Sequence, residues 1–223
     1  MTRPSRIPSR WILNNDTARD ADCSPRGSHI VAPSVPDSPL TLLLSGLTPD
    51  RDHNGDLLRR LRHLPKAEAD QPVFATFAAD PFLNPKDLAR RLLRKGYRRV
   101  VNWPTTAQYG ADFCRTLDSV DLGLQQEYKN LSLFAEQKLS LSLAVCGAEA
   151  AAEIARLRPE IVFLTPGFDL WANGKLRTGE LLHRCVALAR VTPRDIPIVL
   201  MAARGSLSLA QARKAGASAL LVA

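Results

Sequence analysis

From residue 73 onward, short apolar runs alternate with stretches whose apolar residues recur three and four positions apart. Val73–Phe77, Arg98–Asn102, Leu139–Cys146, Ile161–Thr165, Ile196–Ala202 and Ala217–Val222 are runs of strand length. Between them, Pro85–Lys95 places Leu88, Leu92 and Leu93 on one helix face, and helices are also predicted over Gln125–Gln137, Ala148–Ala155, Gly179–Ala189 and Ser208–Ala215. Upstream, Leu40–Leu44 predicts a further strand, and Leu57, Leu58, Leu61 and Leu64 predict a helix over Asp56–Leu64. The strand runs are apolar at consecutive positions, as in strands covered on both faces. Short connections then imply parallel pairing with right-handed crossovers. Seven strands plus a remnant at His29–Val35 predict a (β/α)8 TIM barrel rather than an open doubly wound sheet. The expected barrel is incomplete, with a degenerate first unit and no helix after the last strand. That strand is expected to leave an outer face for the amino-terminal tail or for a second copy in a homo-oligomer.

Composition sets the domain plan and narrows the partners. Residues 1–38 are rich in Pro, Ser, Arg and Asp and read as a disordered basic tail, with the barrel domain at 39–223. No apolar stretch approaches membrane-spanning length, and Met1–Arg10 lacks the apolar core of a secretory signal, so a cytoplasmic protein is expected. The net charge is +8. It is spread over helix faces such as Arg59-Arg60-Leu61-Arg62, with no zinc-finger spacing or aromatic-interleaved basic strand, so nucleic acid is not an expected partner. Cys23, Cys114, Cys146 and Cys185 form no CxxC pair and are expected to be reduced thiols.

The strand ends carry the candidate chemistry, because parallel barrels build their sites there. Asp80 closes the run from Val73 and could hold a divalent cation or act as a base; a helix cap or Asx turn is the structural alternative. Asn102 could orient a substrate oxygen, and the Thr105 hydroxyl could donate to an anion. Glu127 could reach inward as a second carboxylate or sit as a helix-dipole residue. Asp52 and Asn54 share one loop that either faces the mouth or starts a helix. Thr165 and Gly167 follow one strand, and Arg204 and Ser206 follow another, where barrels often hold anions.

In order along the chain, Pro49-Asp-Arg-Asp-His-Asn54, Asp80-Pro-Phe82, Asn102-Trp-Pro-Thr105 and Gly123-Leu-Gln-Gln-Glu127 resemble the phosphoenolpyruvate-hydrolase-like TIM-barrel family, also described as a TIM-barrel signal-transduction domain. The resemblance runs from about residue 40 to 223. It implies hydrolase or carbon–carbon lyase chemistry on a small carboxylate or phosphate metabolite of the enolpyruvate type. Asp80 and Glu127 would hold Mg²⁺, and Asn102 and Arg204 would orient the substrate. Two histidines of the family pattern are replaced, by Thr165-Pro-Gly167 and by Ala202-Ala-Arg-Gly-Ser206. These departures keep open the alternative of a catalytically inactive sensor or interaction barrel.

Overall fold

The structure, a computed structural model, describes residues 10–14, 29–32, 52–64, 66–67, 72–172, 175–203 and 205–222. Eight parallel strands close into a barrel: β1 (Arg10–Asn14), β2 (His29–Val31), β3 (Val73–Thr76), β4 (Arg99–Asn102), β5 (Ser140–Val145), β6 (Ile161–Leu164), β9 (Ile198–Ala202) and β10 (Ala219–Val222). The two-residue strands β7 (Trp171–Ala172) and β8 (Lys175–Leu176) form a separate antiparallel pair between β6 and β9. Each barrel strand pairs with its neighbours in chain order, and β1 closes the ring by pairing with β10. Helices α1 (His53–His63), α2 (Pro85–Arg94), α3 (Ala111–Asp118), α4 (Leu124–Glu136), α5 (Ala151–Leu157), α6 (Thr178–Val191) and α7 (Leu209–Lys214) fill the connections from β2 to β10. Among the described residues, no helix lies between β1 and β2 or after β10.

The expected barrel is therefore present, and its first strands refine the sequence pattern. β1 lies inside the stretch 1–38 expected to be a tail, and β2 coincides with the strand remnant expected at His29–Val35 in that stretch. They are short, which leaves little periodicity to read, and they pair with β10 and β3. The run Leu40–Leu44 lies outside the described residues. On the last strand, outward-pointing Leu220 is 7% exposed, and β10 pairs with β1 and β9.

Strand alternation sorts the core into two layers. Ala75, Val101, Trp103, Ala144, Phe163, Val199 and Leu221 point into the bore and fill it. Phe74, Val100, Leu143, Leu164, Leu200 and Leu220 point outward and pack with helix residues such as Leu92, Leu131, Phe134 and Leu188. On β4, Asn102 has the parity of Val100 and so faces the helices rather than the bore. The helix starts follow local rules. Asn84 caps α2 by accepting from Asp87 N at 3.1 Å with Pro85 in the first turn, and Ser208 and Gln211 form a capping box on α7. Gly216 turns the chain from α7 into β10 at φ +97°, where an added Cβ would lie 2.7 Å from that of Ala189.

Two substitutions test this packing. Phe163→Ala empties the bore at a fully buried position and is expected to lower unfolding free energy by about 3–5 kcal/mol in urea titrations. Gly216→Ala is expected to cost about 1–3 kcal/mol in the same measurement.

Candidate functional site

The carboxyl ends of β3 and β4 carry most of the candidates, in two adjacent groups. The first surrounds a cavity of about 760 Å³ lined by α1, the turn after β3, the start of α2 and the segment from Thr106 to Leu122. Asp52, Asn54 and Asp80 all line it. Asn54 is held by a two-point grip on backbone: its Nδ2 donates to Phe77 O at 3.0 Å and its Oδ1 accepts from Phe77 N at 3.2 Å. The same amide nitrogen donates to Asp80 Oδ2 at 2.8 Å, while Asp80 Oδ1 accepts from Phe82 N at 2.9 Å. The Asx turn weighed as the structural role of Asp80 is thus present, and its carboxylate faces the cavity as well. Asp52 caps α1 by accepting from Gly55 N at 2.7 Å.

The second group is buried beside the first. Glu127, on the first turn of α4, has no solvent exposure. Its Oε2 accepts from Asn102 Nδ2 and from Thr105 Oγ1, each at 2.8 Å, and its Oε1 accepts from Thr106 N at 2.5 Å. Asn102 in turn exchanges two bonds with the backbone of Ala144 on β5, at 2.8 and 3.2 Å. The segment Asn102–Thr106, which includes the cis Trp103–Pro104 peptide, is thereby tied to α4 and β5. Thr106 joins the groups, since its N–H meets Glu127 and the residue lines the cavity. Burial pushes the Glu127 carboxyl above the usual glutamate range, opposed by the bonds from Asn102, Thr106 and Thr105.

The remaining candidates stand apart. Thr165 continues β6 into the bore and accepts from Gln108 Nε2 at 2.8 Å. Beside Gly167 lie the Asp169 carboxylate and Arg184, which form an ion pair with each other. Ser206 closes a turn by donating from its hydroxyl to Ala203 O at 2.7 Å, and Arg204 lies outside the described residues. Sequence reasoning missed the cavity's aromatic wall. Tyr109 stacks on Phe168 with ring centroids 5.3 Å apart, and Phe113 meets Tyr109 edge-on at 5.8 Å. The four-residue spacing of Tyr109 and Phe113 was the available signal; it falls across the Thr106–Tyr109 3-10 turn and the start of α3. The buried cysteines are poor nucleophiles. Burial raises the Cys114 thiol, lifts the Cys146 thiol well above its ordinary range and pushes Cys185 up to about 11. Among the described residues, no three acidic, His or Cys side chains gather as a metal site, and no helix is long and apolar enough to cross a membrane.

The fold has solved counterparts. The chain is similar to a candidate phosphonomutase from Burkholderia cenocepacia J2315 (TM-score 0.60, 11% identity, 96% of this chain and 86% of that one). It is also similar to a candidate copper homeostasis protein, CutC, from Streptococcus agalactiae (TM-score 0.53, 10% identity, 96% and 97%). A third similar structure is FabK from Thermotoga maritima (TM-score 0.51, 13% identity, 96% of this chain). The chain spans about half the length of the FabK structures, 58% of FabK and 49% of its M276A mutant. No family model and no curated protein matches the sequence. At these identities the likenesses establish the fold, a TIM barrel, and no more.

Glu127 gives a test of the buried group. Its neutral counterpart in Glu127→Gln sets an amide N–H against either Thr106 N–H or the Asn102 amide. The variant is expected to lose about 1–3 kcal/mol near neutral pH. Because the folded carboxyl is raised above the ordinary glutamate value of about 4.5, the folded state holds a proton that the unfolded state releases first. Wild type therefore loses stability relative to Glu127→Gln as pH rises from about 4.5 through the raised folded value, and the difference is flat outside that window. Urea titrations of both proteins across this range check the slope.

Proposed function

We propose that this chain is a TIM-barrel protein that binds a small metabolite in the cavity at the carboxyl ends of β3 and β4. The observation that carries this reading is the Asp80–Asn54 pair, hydrogen-bonded at 2.8 Å on the wall of a cavity of about 760 Å³. That volume falls in the range of small-molecule sites, which combine apolar walls with a few fixed polar groups. Asn54 is locked by its backbone grip, so it presents Asp80 in one orientation.

The motif resemblance suggests an enolpyruvate-type ligand and hydrolase or lyase chemistry. An acid of that kind would face Asp52 and Asp80, and among the described lining residues there is no Lys or Arg to receive it. It would need a divalent cation. Asp80 fits such a role, since each of its oxygens carries one protein hydrogen bond and keeps acceptor capacity. Asp52 fits as its companion, because Mg²⁺ is commonly held by one or two carboxylates with water. The ion would supply charge stabilisation at an enolate or carboxylate oxygen. Glu127 does not fit the pair expected with Asp80: it is fully buried and its oxygens are engaged by three protein donors. That engagement favours the second reading, a sensor or interaction barrel that binds without turnover.

A thermal-shift screen of small acids, amines and neutral metabolites, with and without Mg²⁺, tests the proposal. A ligand at a hundred times its Kd stabilises by about 2.7 kcal/mol, and Asp80→Asn is expected to abolish that response. A panel in which nothing binds, or in which Asp80→Asn responds as wild type does, removes the cavity as the site. Pyruvate release from phosphoenolpyruvate separates a hydrolase from a sensor.

A further inference from the structure

Resting on the reading that this cavity binds a small molecule, we infer that its ligand is an organic cation: an ammonium or quaternary ammonium group on an apolar body. The charge of the wall points this way. Among the described residues, Asp52 and Asp80 form no ion pair, whereas Asp87, on the same wall, is already matched by Arg91 at 2.7 Å and Arg90 at 3.5 Å. Two carboxylates that form no ion pair thus line an apolar cavity, together with His53, in a chain of net charge +8. A cation bound in this cavity is attracted to both carboxylates.

The rings point to the same chemistry by a separate route. Phe77, Phe82, Tyr109 and Phe113 line the cavity, with Tyr109 fixed by its stack on Phe168 and Phe113 fixed edge-on to Tyr109. Phe82 is 92% exposed and Phe113 43%, so two large apolar rings stand at the wall with little protein over them. Aromatic faces carry negative potential and attract cations, most strongly where water is excluded. An oxyanion in the same position would meet Asp52 and Asp80 without a bridging metal, and among the described lining residues His53 is the one side chain able to carry positive charge. Phe82 follows Asp80 by two residues and its N–H holds the Asp80 carboxylate, so ring and charge are positioned by one turn.

Calorimetric titration with benzyltrimethylammonium, benzyl alcohol and phenylpyruvate, the last with and without Mg²⁺, compares cation, neutral and anion on one apolar body. The cation is expected to bind at least about tenfold more tightly than the other two. Phe82→Leu keeps apolar bulk and removes the ring face, with an expected loss of about threefold. Asp52→Asn keeps the helix cap and removes the charge, with an expected loss of several-fold. Both changes sit at exposed positions, so they remain informative if Asp80→Asn, expected to weaken the cation about tenfold, proves poorly folded. Tighter binding of phenylpyruvate with Mg²⁺ than of the cation overturns the cation assignment and leaves the metabolite-binding reading intact. Cation binding that ignores both Phe82→Leu and Asp52→Asn overturns the assignment too. Binding of none of the probes, together with a silent thermal-shift panel, removes both readings.

Discussion

A carboxylate with no solvent exposure is tolerated only when protein donors replace its water. Glu127 meets that requirement with three: the Asn102 amide, the Thr105 hydroxyl and the Thr106 N–H. All three come from the segment that leaves β4, and Asn102 is itself bonded to β5. The solvation of one side chain therefore fixes where the β4 loop runs over the barrel mouth. Thr106, Tyr109 and Phe113 take their places downstream of that anchor and form one side of the cavity.

The opposite side is built by an equally local device. Asn54 grips the backbone of Phe77 and passes one N–H to Asp80, so α1 and the turn after β3 are joined through a single amide. Two rigid walls, each defined by an Asn reading backbone and a carboxylate receiving from it, leave the cavity between them. The difference between the carboxylates decides their uses. Glu127 is enclosed and spends its acceptor capacity on structure, whereas Asp80 is only half-buried and faces open volume. Residues of the same chemical type, expected to act together, are thus separated into a structural and an exposed role by burial alone.

Much of the fold was legible because buried parallel strands write continuous apolar runs. The six runs from Val73 to Val222 each became a barrel strand within a few residues, and the helix spacing at Leu88, Leu92 and Leu93 became α2. β1 escaped because five residues carry no period to read, whereas β2 was legible as the remnant at His29–Val35. α3 escaped because it is short and follows a 3-10 turn, so its apolar residues do not form a long stripe. Among the site residues, Asp52, Asn54 and Asp80 were named from their positions at strand and helix ends and do share one cavity. Asn102 and Glu127 were named as well, but they pair with each other on the helix side of β4.

The sequence by itself determined the alternation of strand and helix, the parallel barrel that short connections enforce, and the set of polar residues delivered to the strand ends. Only the tertiary structure decided which of those residues meet. A one-residue change of parity along β4 turns a side chain from the bore to the helix layer, and that parity is set by which neighbours fill each face. The aromatic wall was likewise invisible in the chain order, because Phe77, Phe82, Tyr109 and Phe113 come together only when the β3 and β4 loops are packed side by side.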